Sequence, residues 1–192
     1  MKQHVSRQPR GFSLLEALTA VAILMILAGM AIINFGSVLP SAKANSAMDQ
    51  MLYQLRSARA RAIAHRREVQ IQFVGTNQLT ISELWPAGIP PAPTTVSFEG
   101  GASYMVFAGL PDIPAPYSFG NASAIYFGGV TGGPPVMKFT TNGSFINGGN
   151  ALVNGTVFLG IPGKTSTARA VSILGATGRI RQYHWDGVRW QE

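Results

Sequence analysis

The chain has 192 residues, 46% hydrophobic and 12% charged, with 22 Gly, 12 Pro, no Cys and a formal net charge of +7. The lack of cysteine excludes a disulfide framework, a thiolate metal site and a Cys nucleophile. The charged fraction is about half the ~25% of ordinary soluble domains, and the length suits one domain plus an appendage, so the place of the apolar excess decides the class.

That excess is concentrated near the N-terminus. Residues Phe12 to Ile33 form a run of 22 with a single ionisable group, Glu16. At about 1.5 Å per residue a helix of this length reaches roughly 33 Å, enough for a hydrocarbon core of about 30 Å. A basic leader (Lys2, Arg7, Arg10) precedes the run, and only Lys43 follows closely. Cytoplasmic loops carry the excess of Lys and Arg, which predicts a single pass with the N-terminus inside and the C-terminal bulk outside. The run is too long for a secretory signal and no A-x-A-like site follows it, so cleavage after it is not expected. A carboxylate inside such a helix costs on the order of 2.5–3.5 kcal/mol, which makes Glu16 either a side chain that snorkels to the interface or a functional acid awaiting a partner.

The charge is also local. Met1–Ala42 carries a net +2, Lys43–Arg67 +5, Glu68–Gly163 −3 and Lys164–Glu192 +3, so the basicity sits in a helix and in the tail. From Ala42 to His65, Ala47, Met48, Met51, Leu52, Leu55, Ala58, Ala62 and Ile63 recur at helical spacing. This predicts an amphipathic helix with one face packed on the sheet that follows, in preference to a helix lying on a membrane surface. Arg56, Arg59, Arg61, Arg66 and Arg67 then form a solvated face, which could also meet anionic headgroups or an acidic neighbour, and those near the helix C-terminus favour its dipole.

Beyond the helix, Glu68–Val74 and Gln78–Leu84 alternate apolar and polar residues around Gly75-Thr76-Asn77, predicting a hairpin. Trp85–Pro116 is rich in proline and reads as an irregular, partly stranded insertion, with short apolar pieces at Thr95–Phe98 and Tyr104–Phe107. Further strands are expected at Ala124–Phe127, Val136–Thr141, Ser144–Ile146, Thr156–Ile161, Ala168–Leu174 and Gly178–Trp185, which together imply an antiparallel sheet or a two-sheet layer. The Gly128–Gly133 stretch leads into Pro134-Pro135 with no helix or Lys-Ser/Thr behind it, so it reads as a turn and not as a phosphate loop. Asn121, Asn142 and Asn154 stand in glycosylation-like triplets, but Asn-Gly at a strand end is explained by a hairpin. His4, His65 and His184 are isolated. No ligand cluster and no nucleophile–base pair can be named, so neither a metal, a cofactor nor an enzyme is expected.

In the tail, an extended Gly178–Trp185 places Arg179, Arg181, Tyr183 and Trp185 on one face and turns Ile180 to the core. Two readings stand. The face binds nucleic acid, with the arginines on phosphates and the rings on bases, or it belongs to an edge strand protected by charge.

The string Arg10-Gly11-Phe12-Ser13-Leu14-Leu15-Glu16 resembles the processing site of type IV pilins and type II secretion pseudopilins. Its Gly, then Phe, then Glu five residues into the mature chain match the family pattern as Gly11, Phe12 and Glu16. The resemblance implies cleavage after Gly11 by an inner-membrane prepilin peptidase, N-methylation of Phe12, and pairing of Glu16 with the Phe12 amine of a neighbouring subunit. Such a pair would select register, because a misaligned subunit leaves a buried carboxylate unpaired. Many family members place a proline near the middle of the first segment, whereas here Asn34, Gly36 and Pro40 cluster at its far end.

Taken with the tail Gly178-Arg179-Ile180-Arg181, the order of elements resembles the GspH/FimT family of minor pilins and pseudopilins, strongly over Arg10–Val74 and Val171–Arg181 and weakly in the Pro-rich middle. The family fold implied is α+β and type IV pilin-like, a long N-terminal helix on an antiparallel β-rich head. It divides the chain into a leader (1–11), a transmembrane helix (12–39), an amphipathic helix (40–67) and a periplasmic head (68–192). The implied protein is a minor subunit near the tip of a type II secretion pseudopilus or a type IV pilus, extracted from the bacterial inner membrane. Its implied partners are other pilin or pseudopilin subunits, the prepilin peptidase/N-methyltransferase, the inner-membrane assembly platform and, for secretion, an exported protein. One branch of the family binds DNA for uptake through a Gly-Arg-x-Arg tail. For that alternative the residues here are Arg179 and Arg181, with Lys164, Tyr183 and Arg189 beside them.

Overall fold

The computed structural model describes residues 13–192 apart from 86, 87 and 89, and does not describe the side chains of 31–37. The leader 1–11 and the processing residues Gly11 and Phe12 lie outside the described residues. The chain divides at Pro40 into two units, the second being Pro40–Glu192. Helix α1 is Leu14–His65, with Pro40 inside it.

In the first unit the described side chains are apolar all round the helix. Leu14, Leu18, Ile23, Leu24, Ile26 and Met30 are all exposed, from Leu14 at 82% to Ile23 at 58%. Among the described residues no helix is long and apolar enough to cross a membrane. The span expected over 12–39 includes residues outside that description.

The second unit is built on the amphipathic pattern of the rest of α1. Ala47, Met48, Met51, Leu52, Leu55, Ala58 and Ala62 are buried in one cluster with residues of two sheets, each large side chain worth about 1.5–3 kcal/mol of burial. Ile63, expected on that face, is 43% exposed instead.

Among the described residues twelve strands follow: β1 Val69–Val74, β2 Gln78–Glu83, β3 Thr94–Ser97, β4 Ser103–Tyr104, β5 Ile125–Phe127, β6 Val130–Thr131, β7 Met137–Phe139, β8 Phe145–Asn147, β9 Gly155–Gly160, β10 Arg169–Leu174, β11 Arg179–Trp185 and β12 Trp190–Gln191. All pair antiparallel. One sheet has the order β3-β2-β1-β7-β8 and the other β12-β11-β10-β9-β5-β6, with β4 also pairing β9. The fold is therefore α+β, as expected, with the head resolved into two sheets. The Gly75 turn joins β1 and β2 in the expected hairpin, with Val74 opposite Gln78. The Gly128-Gly129 turn closes a short hairpin, β5–β6, where only a turn was expected.

Alternation on the central strands sorts residues between two apolar layers. Ile71, Leu79, Phe139, Phe145, Val157, Leu159, Val171 and Ile173 face the helix, where Phe139 and Phe145 have ring centroids 4.8 Å apart. Phe158, Ala170 and Tyr183 face the opposite way, into a second cluster with Ile113, Tyr117 and Trp190. The cover for that outer layer is the chain from Met105 to Phe119, much of it within the Pro-rich insertion. It is fixed by Trp190 Nε1 donating to Pro111 O at 2.8 Å and by the Asp112 carboxylate accepting from the backbone N–H groups of Ile113 and Gly120, both at 2.8 Å.

At the start of β10, Arg169 is 4% exposed. It donates Nε to Asn45 Oδ1 of the helix at 2.8 Å and Nη1 to the carbonyls of Ser166 and Ala168 at 3.1 and 2.8 Å. Burial lowers its pKa, yet a guanidinium stays charged. All three acceptors are neutral, and the bond to Asn45 ties the helix to the second sheet.

Candidate functional site: a basic groove beside the tail turn

The Gly-Arg-x-Arg tail begins in the turn between β10 and β11. Gly178 adopts φ +59°, and a Cβ placed there would lie 1.9 Å from Gly143 O and 2.8 Å from Arg59 Nε. Only glycine meets both the left-handed backbone and the close approach. Through that gap Arg59 donates Nε to Gly143 O at 3.0 Å and Nη2 to Thr177 O at 2.9 Å. The helix is thereby fastened to two turns that are distant in sequence.

Beside this brace lies an open groove of about 780 Å³. Arg56 and Arg59 line it from the helix and Arg179 from the turn, over a floor of Ala60, Ile63, Ala64, Leu174 and Ile180. Arg56 and Arg179 are exposed. Neither has an ion pair or side-chain hydrogen bond among the described residues, and the lining contains no carboxylate. Three guanidinium groups thus converge over an aliphatic floor without a counter-ion, the arrangement expected of a site for an anionic group with an apolar attachment. Asp49 lies in the neighbouring depression, which shares Arg56.

The structure places the other tail residues differently from the expectation of one open basic face. Ile180 packs against the helix-side core as expected. Arg181, however, pairs with Glu192 and stacks its Cζ 4.7 Å from the centroid of the Tyr117 ring. Tyr183 is only 3% exposed and belongs to the outer core, and burial pushes its phenol pKa up. Its ring cannot stack a base, because the Met105–Phe119 cover lies on the face that the sequence pattern left open.

Lys164 and Arg189 do not join Arg179. Leu174 pairs with Arg179 at one end of the β10–β11 ladder and Arg169 with His184 at the other. At about 3.3 Å per residue the length of β11 separates these ends by roughly 20 Å. Lys164 lies in the turn entering β10, and Arg189 in the turn after β11, where its Nε is 3.8 Å from Asp186. The Asp186 carboxylate caps that turn. It accepts from the backbone N–H groups of Arg189 and Val188 at 2.8 and 2.7 Å and from Gln191 Nε2 at 2.9 Å. The Arg189 amide, then Gln191 and the Val188 amide, hold its pKa down at about 2.

Sequence reasoning missed the role of Arg56 and Arg59, because nothing local links the outer face of a helix to a turn more than a hundred positions away. It also missed the pair at the helix end, where the Arg67 guanidinium lies 3.7 Å over the Trp85 ring. Among the described residues no group of three or more His, Asp or Glu could hold a metal ion. In the first unit Glu16 is exposed on the helix, its carbonyl accepting from Thr19 Oγ1 at 2.9 Å.

Comparison with known proteins agrees with the N-terminal reading. Residues 6–32 match the family model described as the prokaryotic N-terminal methylation motif, so the chain carries that motif. No curated protein sequence matches the chain significantly. Among solved structures the chain is similar to the type IV minor pilin FimU of Pseudomonas aeruginosa. One crystal form matches at 19% identity and a TM-score of 0.49, over 79% of this chain and 94% of that one. A second matches at 20% and 0.46, over 77% and 97%. The chain is also similar to the minor pseudopilin EpsH from the type 2 secretion system of Vibrio cholerae, at 11% identity and a TM-score of 0.46, over 74% and 97%.

Proposed function

We propose that this protein is a minor pilin or pseudopilin, cleaved after Gly11, methylated at Phe12 and assembled near the tip of a type IV pilus or a type II secretion pseudopilus. The observation that carries the reading is the first unit, a helix that begins at Leu14 inside the methylation-motif match over residues 6–32 and exposes apolar side chains on every side. A helix apolar all round needs cover, and in water it has none. Lipid supplies the cover before assembly, with the N-terminus cytoplasmic and the head periplasmic, and neighbouring subunits supply it afterwards. Glu16 then pairs with the Phe12 amine of the next subunit.

Mass spectrometry of the chain purified from cells with an active prepilin peptidase tests this. A mature chain beginning at methylated Phe12 is expected, and an intact Met1 would overturn it. The same reading has the Glu16→Ala chain processed but absent from sheared filaments. The DNA-uptake alternative keeps Arg179 as its free guanidinium, and oligonucleotide binding by the full chain is its test.

A further inference from the structure

We propose that the groove between α1 and the β10–β11 turn docks an acidic peptide segment with aliphatic side chains, contributed by another protein. The proposal goes beyond the filament reading and does not depend on how the chain is processed or anchored.

Charge complementarity is the first argument. Arg56, Arg59 and Arg179 line one groove with no carboxylate among them, and Arg59 donates only to the neutral carbonyls of Gly143 and Thr177. Three cations left without a counter-ion over an apolar floor are electrostatically incomplete, and a carboxylate arriving from outside completes them with charge-assisted, bidentate hydrogen bonds. Arg61 and Arg67, by contrast, do not line the groove, and Arg181 already has Glu192.

The floor decides between a peptide and a nucleic acid. Sequence-tolerant binding of single strands uses exposed aromatic faces on which bases stack. Here the floor is aliphatic, made by Ala60, Ile63, Ala64, Leu174 and Ile180. One aromatic residue, Tyr117, also lines the groove, but it is buried and already carries Arg181 on its face, while Tyr183 lies in the outer core. Ile63 is the telling residue. It is a large apolar side chain on a helix whose neighbouring apolar positions are buried, and it stands 43% exposed where the groove opens. An aliphatic side chain of the incoming segment covers it, while a neighbouring Glu or Asp reaches the guanidinium groups.

The test uses the full chain in a nonionic detergent and three probes of equal charge at low salt: a peptide of alternating Glu and Leu, polyglutamate and oligothymidine. The Glu/Leu peptide is expected to bind tightest. The double variant Arg56→Ala/Arg179→Ala should weaken it by about tenfold or more, the loss of charge-assisted contacts, and should unfold at the wild-type temperature because neither side chain has an ion pair or side-chain hydrogen bond among the described residues. Ile63→Asn should weaken the Glu/Leu peptide and leave polyglutamate unchanged. Oligothymidine binding as tightly as the peptide would make the groove a phosphate site and overturn the proposal. So would polyglutamate matching the Glu/Leu peptide, wild-type affinity in the double variant, or no peptide binding at all.

Discussion

Replacing Gly178 by Ala isolates the brace that positions the tail. Gly75 supplies the control, since both glycines adopt φ +59° but a Cβ at Gly75 meets nothing within 4 Å. An alanine forced into the left-handed region costs about 1–2 kcal/mol. Removing a glycine also stiffens the unfolded chain, an offset of about 0.4–1 kcal/mol. Both terms are common to the two variants and cancel in the difference. What remains at Gly178 is the collision: a methyl 1.9 Å from Gly143 O must push the two turns apart by more than an ångström. The Arg59 bonds to Gly143 O and Thr177 O, at 3.0 and 2.9 Å, cannot both survive that movement. A hydrogen bond to a charged group is worth about 1.5–3 kcal/mol, and the more exposed bond to Thr177 counts for less, so Gly178→Ala should cost about 2–4 kcal/mol more than Gly75→Ala. Urea unfolding of the head, followed by tryptophan fluorescence with m unchanged, measures the difference. If the two variants lie within about 0.5 kcal/mol of each other, the brace contributes nothing and the tail glycine needs another explanation.

Phe139 is fully buried and packs against Phe145, so Phe139→Ala should cost about 3–5 kcal/mol in the same experiment. Asp186 sets a pH dependence for the β11–β12 turn. Its folded pKa, about 2, is depressed below the ordinary carboxylate value by the Arg189 amide and its companions. The stabilisation is therefore present above about pH 4 and is lost as the pH falls through about 2. An NMR titration should show the Val188 and Arg189 amides shifting with a midpoint near 2, and a midpoint near 4 would refute the capping role.

The elements most legible in the sequence were those with a strong period and local closure. Met48, Met51, Leu52 and Leu55 announced the helix face, and the β1–β2 hairpin followed from alternation around Gly75-Thr76-Asn77. Two-residue strands such as β6 and β12 have no period to read, and they exist because longer neighbours template them. The error at Tyr183 has a different cause. Alternation assigns residues to two faces of a strand, but it does not say whether the second face is wet. Here the Met105–Phe119 segment covers it, with contacts that span much of the chain, and the resulting dry face buries a ring that the tail pattern alone left in solvent. The groove was illegible for the same reason, because Arg56 and Arg179 meet only through the packing of α1 against the second sheet.

The tie between Trp190 and Pro111 joins positions 79 residues apart. A clasp with so long a span can fasten only after both of its halves have been synthesised, so during translation the outside of the second sheet stays bare, with Phe158 and Ala170 awaiting their lid. Loop-closure entropy makes such a late contact weak until the rest is in place. A chain cut short before Trp190 would keep its helix-side core and still offer a sticky apolar plate to whatever it met.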